Sequence, residues 1–306
     1  MGRALTGAQA DEFITGVFRD GAGERRYKLF RPSAEKMPPA GQRTLVVVLH
    51  GCTQDADDIA RGTRFNEAAA RDGFVVLYPE QSESAHPRKC WNWYLPEQSH
   101  RGAGEAAIIA NLTLKAVREE GIDPGHVFLA GISAGAAMAA NLAAGYPEVY
   151  AAVAFHSGLP AFGANDMTSA LAVMARGPAD SDDLGALAFH EMGPRARVVP
   201  VIAFHGVSDP SVSVVNLRAT ARQWVVANAL ASRAKPPDPV EVHPADHRLS
   251  GLRYVLSNGT VLAEAWRVEG LAHAWSGGSS AGTYTDPDAP DATTMMLEFF
   301  RGHPRP

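Results

Sequence analysis

Short apolar runs alternate with longer amphipathic segments along most of the chain. The runs show almost no polar alternation, which is typical of strands covered on both faces. They lie at residues 44–49, 74–78, 127–130, 151–155 and 198–204. Segments with apolar residues at helical spacing lie at 56–71, 105–119, 134–144 and 212–229. Because parallel strands need a crossover, usually a helix, this alternation predicts an α/β fold with a mostly parallel central sheet flanked by helices.

Hairpin patterns lie near both ends of this alternation. Residues 13–18 and 27–31 are rich in aromatic and β-branched residues and are separated by a turn composition. They predict an N-terminal antiparallel hairpin at a sheet edge. Residues 252–257 and 260–268 flank an Asn-Gly pair at 258–259, which predicts a second hairpin with a two-residue type I′ turn.

The remaining segments are typical of connections within one domain. No linker composition and no internal repeat is visible, so residues 1–306 are expected to form a single domain, with 1–12 a candidate disordered segment. Residues 235–246 carry four prolines and predict a loop. Asp291 is expected to cap a final helix. The segment 155–198 spans only about 40 residues, which predicts no large lid over the sheet.

The motif Gly131-Ile132-Ser133-Ala134-Gly135 directly follows the apolar run VFLA and precedes an alanine-rich helix. A G-x-S-x-G pattern between a strand and a helix is typical of a nucleophile elbow. The sharp turn crowds the backbone around the serine, and the two glycines provide room to expose Oγ. The helix N-terminus directs free N–H groups at the place where an oxyanion would form. The alternative is a Gly-Ser turn that only closes a βα unit.

A serine nucleophile needs a base and a group that holds this base in the right tautomer. Asp209 lies just past the apolar run that ends at residue 204, and His273 lies just past the last predicted strand. The order Ser133, Asp209, His273 is that of α/β-hydrolases and differs from that of chymotrypsin and subtilisin. An aspartate in such a loop often only caps a turn. The combination of the three residues therefore carries the prediction of a catalytic triad.

Other candidate ligands and bases have structural interpretations. His50, His156 and His205 each end a strand pattern and are expected to make satisfied hydrogen bonds. His243 and His247 are four residues apart, but a proline between them breaks the helix that a zinc site would need.

The cluster Asp286, Asp288 and Asp291 is interrupted by two prolines and favours a turn and helix cap over a calcium site. No metal and no organic cofactor is expected.

The loop His50-Gly51-Cys52-Thr53 follows the first buried strand, where α/β-hydrolases supply their second oxyanion donor. We assign the oxyanion hole to the N–H groups of Cys52 and Ala134. The chain has two cysteines, Cys52 and Cys90, each in a loop after a predicted strand. A disulfide between them and two buried free thiols are both open, whereas the absence of a C-x-x-C pair disfavours a redox or metal role.

Aromatic residues are concentrated in the loop Cys90-Trp91-Asn92-Trp93-Tyr94. One interpretation is a small core beneath the loop. The other is a substrate-binding platform of Trp91, Trp93 and Tyr94 near the serine, because binding pockets favour aromatic walls. Trp275, two residues after His273, is expected to form a further wall.

Composition narrows the classes of function. The 306 residues are 46% hydrophobic and 20% charged, which predicts a large buried core, and the formal net charge is -5 with no block of like charge. These values disfavour a nucleic-acid partner. The chain contains no apolar run long enough to span a membrane, and its first residues show no secretory signal. A monomer or small homo-oligomer is expected.

Taken together, the motifs LHGCTQ, YPEQ, CWNWY, GISAG, HGVSD and GLAHAWSGG resemble the polyhydroxybutyrate depolymerase family of esterases. Relatives of that family include feruloyl and acetylxylan esterases. The resemblance covers roughly residues 25–300 and implies an α/β-hydrolase fold with Ser133, Asp209 and His273 as its triad. It also favours the disulfide, and with it an extracellular or periplasmic location.

The function implied is hydrolysis of short-chain hydroxyacid esters or polyesters through an acyl-enzyme, the substrate being an ester or oligoester. One alternative is a feruloyl or acetylxylan esterase acting on plant polysaccharide. An alternative of another class is a non-catalytic α/β-hydrolase scaffold that binds ligands. The chain shows no Ser/Thr-rich linker and no second domain of the kind that secreted polymer-degrading members commonly add.

Overall fold

Within residues 10–102 and 104–306, which the computed structural model describes, ten strands form one sheet and two short strands form a separate pair. The strands of the sheet are β1 (Glu12–Asp20), β2 (Gly23–Arg31), β3 (Arg43–Leu49), β4 (Val75–Glu80), β5 (Ile122–Ile132), β6 (Ala152–His156), β7 (Val201–Gly206), β8 (Val240–Val242), β9 (Leu249–Val255) and β10 (Val261–Val268). The separate pair is β11 (Trp275–Ser276) and β12 (Thr285–Asp286).

The order of strands in the sheet is β1-β2-β4-β3-β5-β6-β7-β10-β9-β8. The six strands from β4 to β10 in this order pair in parallel, and β1, β2, β9 and β8 extend the edges through antiparallel pairs. The carboxyl ends of all six parallel strands therefore meet at one edge of the sheet, where α/β proteins bind their ligands.

The helices cover both faces of the sheet. They are α1 (Ala56–Thr63), α2 (Phe65–Asp72), α3 (Pro96–Ser99), α4 (Gly104–Glu120), α5 (Ala134–Gly145), α6 (Met167–Arg176), α7 (Ser181–Met192), α8 (Val215–Ala231) and α9 (Ala292–Arg301). Residues of α4, α5, α7 and α8 pack in one core cluster, and residues of α1, α2 and α9 pack in the other. In β3, Val47 belongs to the first cluster and its neighbour Val46 to the second, so successive side chains of this buried strand serve opposite cores.

The predicted α/β fold and mostly parallel sheet are confirmed, as are the N-terminal hairpin and the Asp291 cap. Asp291 Oδ1 accepts a hydrogen bond from the N–H of Thr294 at 2.9 Å. Residues 1–9, most of the candidate disordered segment, lie outside the described residues, and Glu12 is the first residue of β1. None of the helices in the described ranges has both the length and the apolar character needed to cross a membrane.

Three local predictions differ from the structure. The segment 56–71 forms two helices because Arg64 adopts φ 62°, which ends α1. The proline-rich segment 235–246 contains the edge strand β8. The turn between β9 and β10 has positive φ at Gly259 but not at Asn258, and the N–H of Gly259 donates to Leu256 O at 2.9 Å. It is therefore not a type I′ turn, which needs positive φ at both central residues.

The segment between β6 and β7 folds into α6 and α7 rather than an extended loop. It adds no large lid, but it does bring Met174 of α6 to the pocket described below.

Candidate active site

Ser133 lies in a strained turn between β5 and α5. Its backbone has φ 56° and ψ −123°, a conformation that non-glycine residues rarely adopt. The turn is possible because the flanking residues are small. A Cβ on Gly131 would lie 2.6 Å from the backbone of Gly135, and a Cβ on Gly135 would lie 2.3 Å from Leu49 O. The motif therefore has glycine where neighbouring backbones leave no room for a side chain.

Backbone hydrogen bonds fix this turn against the adjacent strand. The N–H of Ser133 donates to His156 O at the end of β6, at 2.9 Å. The serine carbonyl accepts from the N–H of Ala137 in the first turn of α5. The N–H of Ala134 opens the helix and makes no hydrogen bond to another described residue, as is usual for the first N–H groups of a helix.

Asp209 and His273 meet at the carboxyl ends of two paired strands. β7 and β10 are parallel and in register through Gly206 and Val268, so the loops that follow them run side by side. The N–H of Ser208 donates to Leu271 O at 3.0 Å and ties the two loops together. His273 Nδ1 lies 2.6 Å from Asp209 Oδ2, a distance typical of a charge-assisted hydrogen bond.

The carboxylate of Asp209 is held on every side. Its side chain is fully buried, and Oδ1 accepts from the N–H groups of Ser211 at 2.8 Å and Val212 at 2.9 Å. Burial by itself raises the pKa of this carboxyl, but hydrogen bonds from His205, His273 and the Val212 N–H outweigh it and hold the pKa well below its ordinary value. Asp209 is therefore ionised at neutral pH.

His205 is a second histidine in contact with Asp209. Its Nε2 lies 2.9 Å from Val212 O and 3.4 Å from Asp209 Oδ2. Both neighbours are acceptors, so Nε2 carries the proton. The structural hydrogen bond predicted for His205 is confirmed, and the contact with Asp209 is an addition that sequence reasoning missed.

His50 and His156 are buried and neutral, and the structural roles predicted for them are confirmed. His50 Nε2 accepts from the N–H of Gln81, and burial lowers the pKa of its imidazole to about 4. His156 Nε2 accepts from the N–H of Ser276, and burial together with the nearby charges of His205 and His273 lowers its pKa to about 3. Each ring fixes one of the loops that surround Ser133.

The loop after β3 brings Cys52 to the same place. Cys52 and Cys90 form a disulfide, so the pairing that the sequence left open is settled in favour of the bonded form. On either side of Cys52, the N–H of Gly51 donates to Gln54 Oε1 and the N–H of Thr53 donates to Arg88 O. The N–H of Cys52 has no such acceptor among the described residues, and Cys52 lines the pocket at Ser133.

These residues surround a pocket of about 340 Å³. Its lining residues are Gly51, Cys52, Gln54, Arg88, Ile132, Ser133, Met174, Ser211, His273 and Tyr284. The pair β11 and β12 positions Tyr284, whose ring lies edge-on to the His273 ring with 6.3 Å between centroids. Arg88, Met174 and Tyr284 were not foreseen, because they come from loops and a helix with no motif of their own.

The aromatic platform predicted from the CWNWY loop needs correction. Trp91, Trp93 and Tyr94 are buried in the core, and none of them lines the pocket. Trp91 Nε1 donates to His50 O at 3.1 Å, so this buried ring supports the loop that carries Cys52. The loop itself is held by buried Glu105, whose carboxylate accepts from the Asn92 N–H at 2.7 Å.

Trp275 is also buried and does not line the pocket, contrary to the prediction. Its Nε1 donates to Thr293 Oγ1 at 3.0 Å, and its ring stacks on His156. The ring of Trp275 belongs to the apolar cluster that packs against α9 and not to the rim. It therefore fixes the base of the loop that carries His273.

The remaining candidates lie away from the pocket. Asp286 lies in β12, and Asp291 caps α9. His243 is exposed and pairs with Glu241. In the described ranges, no three His, Cys, Asp or Glu side chains converge in a way that could hold a metal ion. The pocket instead combines a hydroxyl, an imidazole oriented by a carboxylate, and backbone N–H groups, which are the groups that acyl transfer requires.

Comparisons with known proteins agree with this chemistry. Residues 26–235 match the family model described as Esterase PHB depolymerase. Poly(3-hydroxyalkanoate) depolymerase C of Paucimonas lemoignei is 32% identical over 265 residues, which are 85% of this chain and 61% of that protein. Probable acetylxylan esterase A of Aspergillus fumigatus is 31% identical over 193 residues, or 59% of this chain and 50% of that protein. The chain thus spans between half and two thirds of the length of these relatives.

A solved structure shares the architecture. Acetyl xylan esterase from Aspergillus awamori aligns over 96% of this chain and 99% of its own, with a TM-score of 0.74 and 18% sequence identity. At this identity the likeness shows the fold alone, the α/β-hydrolase fold.

Proposed function

Because the chain belongs to the esterase family of polyhydroxybutyrate depolymerases, we propose that it is a serine esterase acting on short-chain hydroxyacid esters or polyesters. One observation carries the proposal. Ser133 and His273 line the same pocket, and Asp209 holds the imidazole from behind at 2.6 Å. We assign these three residues as the catalytic triad.

The reaction begins when His273 Nε2 removes the proton of Ser133 Oγ as the oxygen attacks the ester carbonyl. Asp209 accepts from Nδ1, which leaves Nε2 as the basic nitrogen, and its ionised carboxylate stabilises the imidazolium that forms. The N–H groups of Cys52 and Ala134 then stabilise the oxyanion of the tetrahedral intermediate.

Collapse of this intermediate breaks the bond to the alcohol oxygen, which takes the proton from His273, and leaves an acyl group on Ser133. Water repeats the sequence, giving its proton to His273 and its oxygen to the acyl carbon. The carboxylic acid departs, and Ser133 recovers its proton. No group outside the chain takes part apart from the ester and water.

A second candidate substrate is an acetyl ester of xylan. The relatives described above include a probable acetylxylan esterase at 31% identity. We further propose that residues 1–306 act as one catalytic domain, since a single sheet connects β1 to β8. The disulfide favours an oxidising compartment, such as the exterior or the periplasm.

The test compares hydrolysis of soluble 3-hydroxybutyrate oligomers, p-nitrophenyl acetate and acetylated xylan by the wild type and by Ser133→Ala. The alanine variant should fold normally and lose turnover of every ester. Asp209→Asn should lower kcat by about 10⁴, as the equivalent change does in serine proteases, since the imidazole then adopts the wrong tautomer. Full activity of either variant would reject the triad, and a preference for acetylated xylan would select the second candidate.

A further inference from the structure

Arg88 is the one residue with a permanent charge among those that line the pocket at Ser133. Its side chain is exposed, and its guanidinium pairs with no carboxylate in the described part of the chain, whereas the adjacent Lys89 pairs with Glu83 at 3.8 Å. No aspartate or glutamate lines the pocket. The lining of the pocket therefore carries one permanent positive charge and no carboxylate.

The chain holds the backbone of Arg88 in place. Its carbonyl accepts from the N–H of Thr53 at 2.6 Å, next to the oxyanion donor Cys52. Two residues further on, Cys90 is bonded covalently to Cys52. These two links attach the Arg88 loop directly to the oxyanion loop. The backbone that carries the charge is thus fixed at the rim of the site, while the Arg88 side chain extends from it into solvent.

Two carboxylates that contact pocket-lining residues already accept hydrogen bonds from the protein. Asp58 accepts from Gln54 Nε2 and from the N–H of Thr283, each at 2.9 Å. Asp209 lies behind His273 and is occupied by the hydrogen bonds described above. Neither carboxylate is among the lining residues. An anion on a bound substrate would meet the guanidinium without competition from them.

We propose that Arg88 binds a carboxylate of the substrate, so that the preferred esters are hydroxyacid oligomers with a free carboxyl end. A guanidinium donates two parallel N–H groups that match the two oxygens of a carboxylate. This inference rests on the proposed esterase function and specifies its substrate. The carboxyl end of such an oligomer belongs to the alcohol side of its last ester bond, so hydrolysis next to it releases a short hydroxyacid.

The same arrangement links successive reactions. Water adds across an internal ester bond to give one fragment with a new carboxylate and one with a new hydroxyl. The fragment that carries the new carboxylate has the end group that Arg88 binds. Each internal cut therefore adds one further carboxyl end that this pocket can bind, and we expect oligomers to be shortened stepwise from their carboxyl ends.

The test measures kcat/KM for the 3-hydroxybutyrate trimer as the free acid and as its carboxyl-terminal primary amide, which has the same shape without the charge. The wild type should prefer the free acid by about fivefold, the range of a partly exposed charge-assisted pair. In Arg88→Gln the preference should fall to near one, mainly through KM. Arg118→Gln, which removes an exposed arginine outside the pocket, is the matched control and should keep the wild-type preference.

Salt provides an independent readout. Raising the ionic strength from about 0.01 M to 1 M shortens the Debye length from about 30 Å to 3 Å and should reduce the wild-type preference. Equal rates on the acid and the amide in the wild type, or an unchanged preference in Arg88→Gln, would overturn the assignment of Arg88. Failure of the wild type to hydrolyse either trimer would instead contradict the proposed function.

Discussion

Three histidines, each at or just after the end of a strand, occupy different places around Ser133. His273 lines the pocket, His205 contacts Asp209 from the other side, and His156 is buried beside both. Sequence reasoning separated His273 from the others because its order after Ser133 and Asp209 matched a known arrangement. It could not show that His205 shares the oxygen Asp209 Oδ2 with His273, since that contact depends on how the 209–212 turn folds back.

His205 is expected to act as a positioning residue. Its N–H helps to keep the pKa of Asp209 below the ordinary value, so His205→Leu should raise that pKa and lower kcat by about tenfold, the worth of a hydrogen bond to a charged group. The acid limb of the kcat/KM profile should move to higher pH, because a carboxylate that has lost this hydrogen bond accepts more strongly from His273 and stabilises its protonated form. His205→Gln, which can place an N–H near the same oxygen, should restore much of kcat and of the wild-type pH profile. A lower yield of folded protein without a shift of the pH profile would indicate a purely structural role.

A single residue also explains why the prediction of an aromatic substrate-binding platform was wrong. Three aromatics in a polar loop fit a binding platform or a buried cluster equally well on sequence grounds. The deciding residue is Glu105, whose buried carboxylate binds Asn92 and Arg25 and draws the loop inward. That partner is 13 positions away from Asn92 in a predicted helix, and nothing in the local pattern marks it as buried.

Among the elements, two loops joined by the disulfide form one side of the pocket at Ser133. The loop after β3 carries Cys52, and the loop after β4 carries Arg88 and Cys90. β3 and β4 are adjacent and parallel, so their carboxyl ends are already close before the bond forms. The pairing of the two strands thus explains why a disulfide is possible here, and the sequence pattern had predicted both strands.

Removal of this bond should affect both stability and rate. Cys90→Ser opens a loop of 38 residues, which in the chain-entropy account costs roughly 4 kcal/mol and, for a domain of this size, about 6 °C in Tm. The freed Cys52 loop should also lower kcat, because its N–H is no longer fixed at the oxyanion. Thermal unfolding and p-nitrophenyl acetate kinetics measure the two effects. An unchanged kcat at temperatures well below Tm would show that the bond serves stability alone.

Element boundaries were predictable where the apolar pattern was continuous. Most of the parallel strands and α5 lie within three residues of their predicted positions, whereas β5 begins five residues before the predicted run. The division of 56–71 into α1 and α2 was not predictable, because Arg64 is an ordinary helix former and its positive φ is imposed by tertiary packing. For the same reason β8 was missed, since its three residues gain their pairing from β9 and not from a local apolar pattern.

At the scale of the whole molecule, buried neutral histidines make stability depend on pH. The pKa values of His50 and His156 are lowered to about 4 and about 3, against an ordinary value near 6.5. Below about pH 6.5 these two histidines bind protons in the unfolded chain but not in the folded protein. The free energy of unfolding therefore falls as the pH falls toward about 4. Asp209, with its lowered pKa, adds a further loss only below about pH 4.

Urea unfolding at several pH values between about 8 and 4 measures this dependence, because the histidine effect falls inside that interval and the Asp209 effect lies below it. The wild type should lose stability steadily below about pH 6.5. His156→Asn removes one of the two buried imidazoles and should show a shallower decline, whatever its stability at neutral pH. A wild-type curve that stays flat down to about pH 5 would contradict the assignment of both histidines as neutral in the folded state.

The position of β10 between β7 and β9 has a consequence for biosynthesis. Residues 26–235 match the family model, yet His273 follows β10 and reaches Asp209 only after that strand has joined β7. A growing chain can fold its earlier strands and expose Ser133 well before the imidazole is made. Under the proposed mechanism, the nascent protein therefore lacks its general base until β10 pairs with β7, and the onset of ester cleavage would mark that pairing.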